Sequence, residues 1–155
     1  IKNISKDKNL KIKFIVQSPS NLISKLYDDL YYLKNNLVIK DYYYNIEDIL
    51  STSSLAISRA GAGSINDLIK FKVPSILIPL QSSKDNHQYY NASILAEHGV
   101  AIIIDEYKNE ISQALDYVYK IYNKASKTTL IKKRFENIYV KNSNSLIYKL
   151  TNNEK

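Results

Sequence analysis

Short apolar runs rich in β-branched residues recur along the chain and predict β-strands. Their centres lie roughly 20–25 residues apart, and the segments between them carry apolar residues at helical spacing. The later runs are apolar on both faces, which is typical of parallel strands that are covered by helices on each side. The predicted strands are Leu10–Val16, Leu37–Ile39, Leu55–Ile57, Ser75–Pro79 and Val100–Ile104.

The segments between the strands predict helices, one of which begins with a variant of the capping box, Ser64-x-x-Asp67. Gly99 follows another as a C-cap residue. The order of strands and helices predicts one α/β domain over residues 1–155, with a Rossmann-like doubly wound parallel sheet and right-handed crossovers. The predicted helices are Asn21–Leu33, Ile46–Leu50, Ser64–Phe71, Asn86–His98, Ile111–Tyr122 and Leu130–Leu150.

Composition excludes several classes of protein. The chain of 155 residues is 45% hydrophobic and has only 3 Gly and 3 Pro, which excludes disordered and collagen-like chains. It has no cysteine and two histidines, which argues against a disulfide framework or a zinc site. No apolar run reaches the roughly 18–20 residues of a membrane span, and the segment Ile1–Lys8 lacks the apolar core of a signal peptide, so we expect a cytoplasmic domain.

The net charge of +7 suits nucleic acid, anionic lipid or a phosphate ligand. A second interpretation is compositional, because the chain prefers Lys to Arg throughout and contains no long basic block. The charge alone therefore does not select a partner.

The loop after the third predicted strand is the first candidate binding site, because ligands of doubly wound sheets bind beyond the carboxyl ends of the strands. This loop, Ser58–Asp67, is built from small residues, and the N–H groups of Ala62, Gly63 and Ser64 at a helix start attract an anion such as a diphosphate. Asp67 would accept hydrogen bonds from ribose hydroxyls. The alternative is a tight turn in which Asp67 only caps the helix.

The second candidate site is the polar segment after the fourth strand, Gln81–Asn91. His87, Gln88 and Asn91 share one helix face because they are three and four residues apart. Amide and imidazole groups suit the discrimination of sugar hydroxyls or an acetamido group. The alternative is a solvated first helical turn with Asp85 or Asn86 as its N-cap.

Three consecutive tyrosines, Tyr42–Tyr44, follow the second predicted strand. An aromatic ring there would pack on a nucleobase, and the neighbouring backbone would read the edge of the base. Packing in the core or in a lid is the other interpretation. Nothing in the sequence resembles a Ser-His-Asp set, a pair of catalytic carboxylates or a metal cluster, so the chain offers a binding site without a catalytic base.

Taken together and in order, three blocks of sequence resemble the C-terminal half of the MurG family of glycosyltransferases. The blocks are an S-R-x-G-A signature at Ser58–Ala62, a proline pair at Pro74 and Pro79, and D-N-H-Q-x-x-N-A at Asp85–Ala92. The resemblance covers residues 10–139. It implies one half of a B-type glycosyltransferase whose first strand, with a glycine-rich G-G-S-x-G-A loop, lies outside this chain.

The resemblance also implies roles for individual residues. It assigns Tyr42 to the face of uracil and Tyr43 to backbone contact with that base. It places Asp67, the counterpart of a family glutamate, at the ribose. It assigns Ala62, Gly63 and Ser64 to the loop that faces the diphosphate, in the turn that also contains Arg59 and Gly61. It assigns His87, Gln88 and Asn91 to the block that contacts the sugar.

For the whole enzyme, the resemblance implies transfer of N-acetylglucosamine from UDP-N-acetylglucosamine to a lipid-linked muramoyl-pentapeptide. The acceptor-binding site and the catalytic base would belong to an N-terminal domain. The enzyme would lie at the cytoplasmic face of the cell membrane, without metal or cofactor and without nucleic acid as a partner. Two alternatives stay open at this point: the donor subunit of a two-chain transferase, and a basic nucleic-acid-binding module.

Overall fold

The computed structural model describes residues 12–33, 35–82, 86–108, 110–122 and 125–138, in which strands and helices alternate. The strands are β1 (Phe14–Gln17), β2 (Leu37–Lys40), β3 (Ala56–Ser58), β4 (Ser75–Leu77) and β5 (Ala101–Ile103). The helices are α1 (Ser20–Asp29), α2 (Ile46–Thr52), α3 (Ala62–Lys70), α4 (His87–Glu97), α5 (Ile111–Tyr122) and α6 (Ala125–Arg134). Single 3₁₀ turns follow α1 at Tyr31–Leu33 and α6 at Phe135–Asn137.

All described strand pairs are parallel, but they form two sheets. β1 pairs with β2, with Phe14 opposite Leu37. β4 lies between β3 and β5, with Ser75 opposite both Ala56 and Ala101. The predicted α/β class with parallel strands is confirmed, whereas the expected single sheet is divided, because no strand among the described residues joins β1 to β3.

The core has two parts that meet at Phe14. The larger cluster lies around β4, where Ile76 and Leu77 are almost completely buried. The smaller cluster of Leu30, Leu33, Leu37 and Ile39 lies between α1 and the first sheet. Phe14 packs against both clusters, so the two sheets share one apolar interior.

The start of α3 differs from the prediction. The helix begins at Ala62 with Gly61 as its N-cap, and the first intrahelical hydrogen bond runs from Ile65 N to Gly61 O at 3.0 Å. The capping box predicted for Ser64 and Asp67 is therefore wrong, because Asp67 lies in the second turn and is too far along the helix to cap it. α4 ends with His98 as its C-cap, and Gly99 directly after it has a φ of +65°, the left-handed conformation that a glycine adopts at the end of a helix.

The end of the chain also differs from the prediction. α6 begins at Ala125, five residues before the predicted start at Leu130. The prediction missed this first part of the helix because the polar residues between the two positions carry no apolar periodicity. Its predicted extension to Leu150 and the predicted start of the first strand at Leu10 lie outside the described residues. Among the residues the structure describes, no helix is long and apolar enough to cross a membrane.

The hydroxyl of Tyr117 on α5 donates a 2.8 Å hydrogen bond to Val100 O, directly before β5, and so joins this helix to the second sheet. Burial raises the pKa of Tyr117 to about 12, although the charge of Arg134 opposes the shift. The same phenol titrates at about 10 in the unfolded chain. Between pH 10 and 12 the unfolded chain therefore loses a proton that the folded protein keeps, and stability falls as the pH rises.

We expect Tyr117→Phe to remove this part of the alkaline fall in stability, which amounts to about 2–3 kcal/mol at pH 12. Urea unfolding from pH 8 to 12 measures it, with Tyr107→Phe, an exposed phenol, as the control. Equal pH slopes for the two variants would show that Tyr117 does not carry the effect. Below pH 10, Tyr117→Phe should be less stable than the native chain by a constant amount of about 1 kcal/mol, because the hydrogen bond to Val100 O is missing.

Candidate functional site

The turn between β3 and α3 lies beyond the carboxyl end of β3, as predicted. Because the first intrahelical bond begins at Ile65 N, the N–H groups of Ala62, Gly63 and Ser64 precede the hydrogen-bond ladder of the helix. The helix dipole adds partial positive charge at the same place. This end of α3 therefore has the electrostatics of an anion site.

The space over this helix start is open. No atom lies within 4 Å of the position where a β-carbon would stand at Gly61 or at Gly63, apart from their own chain neighbours and the helix backbone. Both glycines have ordinary negative φ values, since Gly99 is the glycine with positive φ in the described chain. The fold does not need these two glycines for packing, and they leave room for a ligand to approach the backbone.

Two side chains of α4 hold the loop before α3 in place. Gln88 Oε1 accepts hydrogen bonds from Ala60 N at 3.3 Å and from Leu80 N at 2.9 Å, and Asn91 Nδ2 donates to Ala60 O at 3.1 Å. Ala60 is completely buried, and both polar groups of its backbone find their hydrogen-bond partners on α4, as buried polar groups require. The predicted shared face of Gln88 and Asn91 is confirmed, and it faces the turn that leads into α3.

Arg59 spans the carboxyl ends of all three strands of the second sheet. Its Nη1 donates to Ile78 O at 3.2 Å, just after β4, and its Nη2 lies 2.5 Å from Glu106 Oε2, in the loop after β5. These contacts direct the guanidinium towards the loops after β4 and β5. Glu106 was not among the predicted site residues.

A second tie joins the loops after β4 and β5. Gln81 Nε2 donates to Asp105 Oδ1 at 2.7 Å, and Asp105 N donates to Glu110 Oε2 at 2.9 Å. The acidic pair at Asp105 and Glu106 lies in the loop after β5, one residue beyond the end of the strand, so the rule that sites lie at the carboxyl ends of strands could have found both residues. Hydrogen bonds and an ion pair thus join the loops that follow β3, β4 and β5.

An open cavity of about 390 Å³ lies beside this loop network, between the end of β4 and the start of α4. That volume is in the range of small-molecule sites. Its lining combines apolar surface with two carboxamides: Pro79, Leu80, Gln81, Asn86 and Tyr89. His87, the first residue of α4, is exposed at the same end of that helix.

The tyrosines after β2 divide into one buried and two exposed rings. Tyr43 is buried, and its hydroxyl lies 3.3 Å from Val16 O and 3.2 Å from Val38 O, which ties it to both strands of the first sheet. Burial raises the pKa of this phenol. Tyr42 and Tyr44 are exposed and pack edge to face with ring centroids 4.9 Å apart. Tyr42 is therefore available to stack on a ligand, and Tyr43 could contribute only its backbone.

Asp67 is partly exposed on α3, on the same face as Gly63 and Ser64 because it follows them by four and three residues. Asp67 lies in the second turn of α3, one turn beyond the N–H groups at the helix start, and its contact with a ribose stays a prediction. In the described parts of the chain, no group of three or more His, Asp or Glu side chains could hold a metal ion.

Solved structures of similar fold define the architecture of the domain. The chain superposes on MurG of Acinetobacter baumannii with a TM-score of 0.73 and 19% identity, covering 97% of this chain and 46% of that one. It superposes on the glycosyltransferase VinC in complex with dTDP with a TM-score of 0.65 and 16% identity, covering 88% and 32%. The fold is therefore that of a Rossmann-like domain of a B-type glycosyltransferase.

Sequence comparison gives the family. The profile of the "Glycosyltransferase family 28 C-terminal domain" matches residues 1–146, and the chain belongs to this family. Two similar relatives, from Prochlorococcus marinus strains MIT 9301 and MIT 9312, are 42% and 40% identical over 111 and 134 residues. Both are named UDP-N-acetylglucosamine--N-acetylmuramyl-(pentapeptide) pyrophosphoryl-undecaprenol N-acetylglucosamine transferase. The matches cover 66% and 79% of this chain but only 31% and 36% of the relatives.

Proposed function

We propose that this chain is the donor-binding half of a hexosyltransferase that moves N-acetylglucosamine from UDP-N-acetylglucosamine to an undecaprenyl-pyrophosphate-linked muramoyl-pentapeptide, a step of peptidoglycan synthesis. The observation that carries the proposal is the start of α3. Three N–H groups, at Ala62, Gly63 and Ser64, lie at an exposed helix start at the carboxyl edge of the sheet in a family 28 domain. The activity and the donor named for the relatives fit this geometry.

The diphosphate of the donor would lie at this helix start. N–H groups and the helix dipole bind the two phosphates, and the same interactions would stabilise the UDP that leaves when the sugar is transferred. Arg59, three residues before α3, would hold this loop against the ends of β4 and β5 through Ile78 O and Glu106, and Glu106 compensates its positive charge. The dTDP bound to VinC shows that a protein of this fold binds a pyrimidine nucleoside diphosphate.

The uridine would extend from the diphosphate towards the tyrosines that follow β2. Tyr42 offers an exposed ring for stacking on uracil, and the backbone of Tyr43 offers polar groups for its edge. The Asp67 carboxylate would accept a hydrogen bond from the ribose, because it lies on the face of α3 that carries Gly63.

The sugar would contact the first two turns of α4. Since Gln88 Oε1 already accepts from two backbone N–H groups, its Nε2 is the part of the carboxamide that is left to donate to a sugar hydroxyl or to the acetamido oxygen. Asn91 is engaged through Nδ2, which leaves its Oδ1 as an acceptor. His87 and the neighbouring cavity complete this part of the site.

In this proposal, the binding site for the acceptor and the catalytic base belong to polypeptide outside these 155 residues, since the chain spans about a third of the length of its curated relatives. The lipid-linked acceptor named for those relatives supports a reaction at a membrane, and we propose the cytoplasmic face of the cell membrane with the protein bound peripherally. The net charge of +7 would add attraction to anionic lipid. The transfer needs no metal or cofactor, and nucleic acid is not a partner in this proposal.

Calorimetric titration of the folded chain with UDP, UMP, UDP-N-acetylglucosamine and UDP-glucose tests the donor site. We expect UDP to bind at least about tenfold more tightly than UMP, because the β-phosphate forms charge-assisted hydrogen bonds with the N–H groups of α3. UDP-N-acetylglucosamine should bind more tightly than UDP-glucose because of its acetamido group. Equal affinities for UDP and UMP, or no heat with any of the four in a sample with a cooperative melting transition, would contradict the proposal.

A further inference from the structure

Glu106, in the loop after β5, pairs with Arg59, which lies three residues before α3. The guanidinium of Arg59 has two partners on different loops, because Nη1 donates to Ile78 O at 3.2 Å while Nη2 lies 2.5 Å from Glu106 Oε2. A guanidinium is planar and its N–H groups point in fixed directions, so two separate partners fix its orientation. The side chains of Arg59 and Glu106 are 48% and 25% exposed, and solvent therefore screens the pair only in part.

The loop that carries Glu106 is itself held by hydrogen bonds on both sides of this residue. Asp105 N donates to Glu110 Oε2 at 2.9 Å, and Tyr107 N donates to Asp105 Oδ1 at 2.9 Å. The same Oδ1 accepts from Gln81 Nε2 at 2.7 Å, in the loop after β4. A side chain that stands on such a supported segment holds its partner in place. Glu106 therefore restrains Arg59 and does not merely follow it.

The restraint on Arg59 reaches the start of α3 through two residues. Ala60 follows Arg59, and α4 fixes its backbone through Gln88 and Asn91. Gly61 comes next as the N-cap of α3, and no atom beyond its chain neighbours lies within 4 Å of its β-carbon position. The direction of the first N–H groups of α3 therefore depends on how Arg59 and Ala60 are held.

We propose that Glu106 is a positioning residue of the anion site, which acts through Arg59 and raises the affinity of the turn for a diphosphate. Charge alone gives the opposite sign, because a carboxylate near an anion site repels the anion. Both carboxylates of the loop are paired, Glu106 with Arg59 and Asp105 with Lys108 Nζ at 3.5 Å, so they oppose the positive end of α3 less. The inference rests on the proposed function for the identity of the ligand, but the restraint on the turn does not depend on it.

Amide hydrogen exchange in the nucleotide-free chain tests the restraint. We expect the N–H groups of Ala60 and Ile65 to exchange at least about fivefold faster in Glu106→Ala than in the native chain. Glu106→Gln, which keeps an oxygen acceptor for Nη2, and Glu97→Ala, which removes an exposed carboxylate of α4, should leave both rates unchanged. Unchanged rates in Glu106→Ala would overturn the proposal, and so would an equal acceleration at Ile76 in the core strand β4, which would indicate a general loss of stability.

Calorimetric titration with UDP tests the sign of the effect. Glu106→Ala should bind UDP about fivefold more weakly than the native chain, whereas Glu106→Gln should stay within about twofold and Glu97→Ala should be unchanged. In an Arg59→Gln background, Glu106→Ala should cause no further loss, because Glu106 acts through Arg59. Tighter binding of UDP to both Glu106 variants is the result that charge alone gives, and it would overturn the proposal.

The two measurements separate this inference from the proposed function. If the native chain does not prefer UDP to UMP while the amides of Ala60 and Ile65 respond to Glu106→Ala, Glu106 holds the turn as inferred and the proposed donor site fails. If the native chain prefers UDP but neither the amides nor the affinity respond to Glu106→Ala, the donor site stands and the role of Glu106 is overturned.

Discussion

Replacing Gln88 by methionine is expected to destabilise the protein by about 2–3 kcal/mol, which corresponds to a fall in Tm of about 5–10 °C for a domain of this size. Methionine keeps the length of the side chain but removes the acceptor that serves Ala60 N and Leu80 N. Ala60 is completely buried, so its N–H would have no water to replace the lost partner. Chemical denaturation measures the loss.

The loss should extend to ligand binding, because the peptide that Gln88 holds is the one that leads into α3. We expect the affinity for UDP to fall about tenfold in Gln88→Met, a cost of roughly 1.4 kcal/mol for a displaced anion loop.

Two further variants separate the acceptor role of Gln88 from the packing of its side chain. Gln88→Glu keeps oxygen acceptors for both N–H groups and should stay within about 1 kcal/mol of the native stability. Gln113→Met, at an exposed position on α5, should be neutral. If Gln88→Glu is as unstable as Gln88→Met, the two hydrogen bonds from the backbone to Oε1 do not hold the loop.

The sequence predicted the alternation of strands and helices because apolar periodicity records which face of each element is buried. The parallel pairing also followed, since short apolar strands joined by helices have few other topologies. The division into two sheets did not follow. Which strands lie side by side depends on the order of the whole sheet, and Ile15 and Ile57 have the same apolar character in sequence whether they are covered or not.

The sequence predicted which segments form the candidate site but not the long-range contacts that join them. The spacing of Gln88 and Asn91 gave their shared helix face, but their partner Ala60 lies 28 and 31 residues earlier in the chain, and no local pattern indicates such contacts. The pairing of Arg59 with Glu106 is equally long-range. The true start of α3 escaped prediction because Gly61 caps without a side-chain hydrogen bond, whereas Ser64 carries the stronger sequence signal.

Substitution of Gly63 should change stability and ligand affinity in opposite directions. Alanine and leucine are better helix formers than glycine, and no atom lies within 4 Å of a β-carbon at this position, so Gly63→Ala and Gly63→Leu should each raise stability by about 0.5–1 kcal/mol. Side chains on a helix lean towards its N-terminus, which here is the proposed phosphate position.

The larger the new side chain at Gly63, the more it should exclude the diphosphate from the N–H groups of α3. We expect UDP to bind several-fold more weakly to Gly63→Ala and on the order of 100-fold more weakly to Gly63→Leu, since two charge-assisted hydrogen bonds would be lost. Ser24→Ala, an exposed helical position on α1, should gain stability without a change in affinity. Calorimetry and urea unfolding on the same samples measure both quantities. A Gly63→Leu variant that is stabilised and still binds UDP like the native chain would show that the diphosphate lies elsewhere, because a leucine side chain at this helix start leaves no room for the two phosphates.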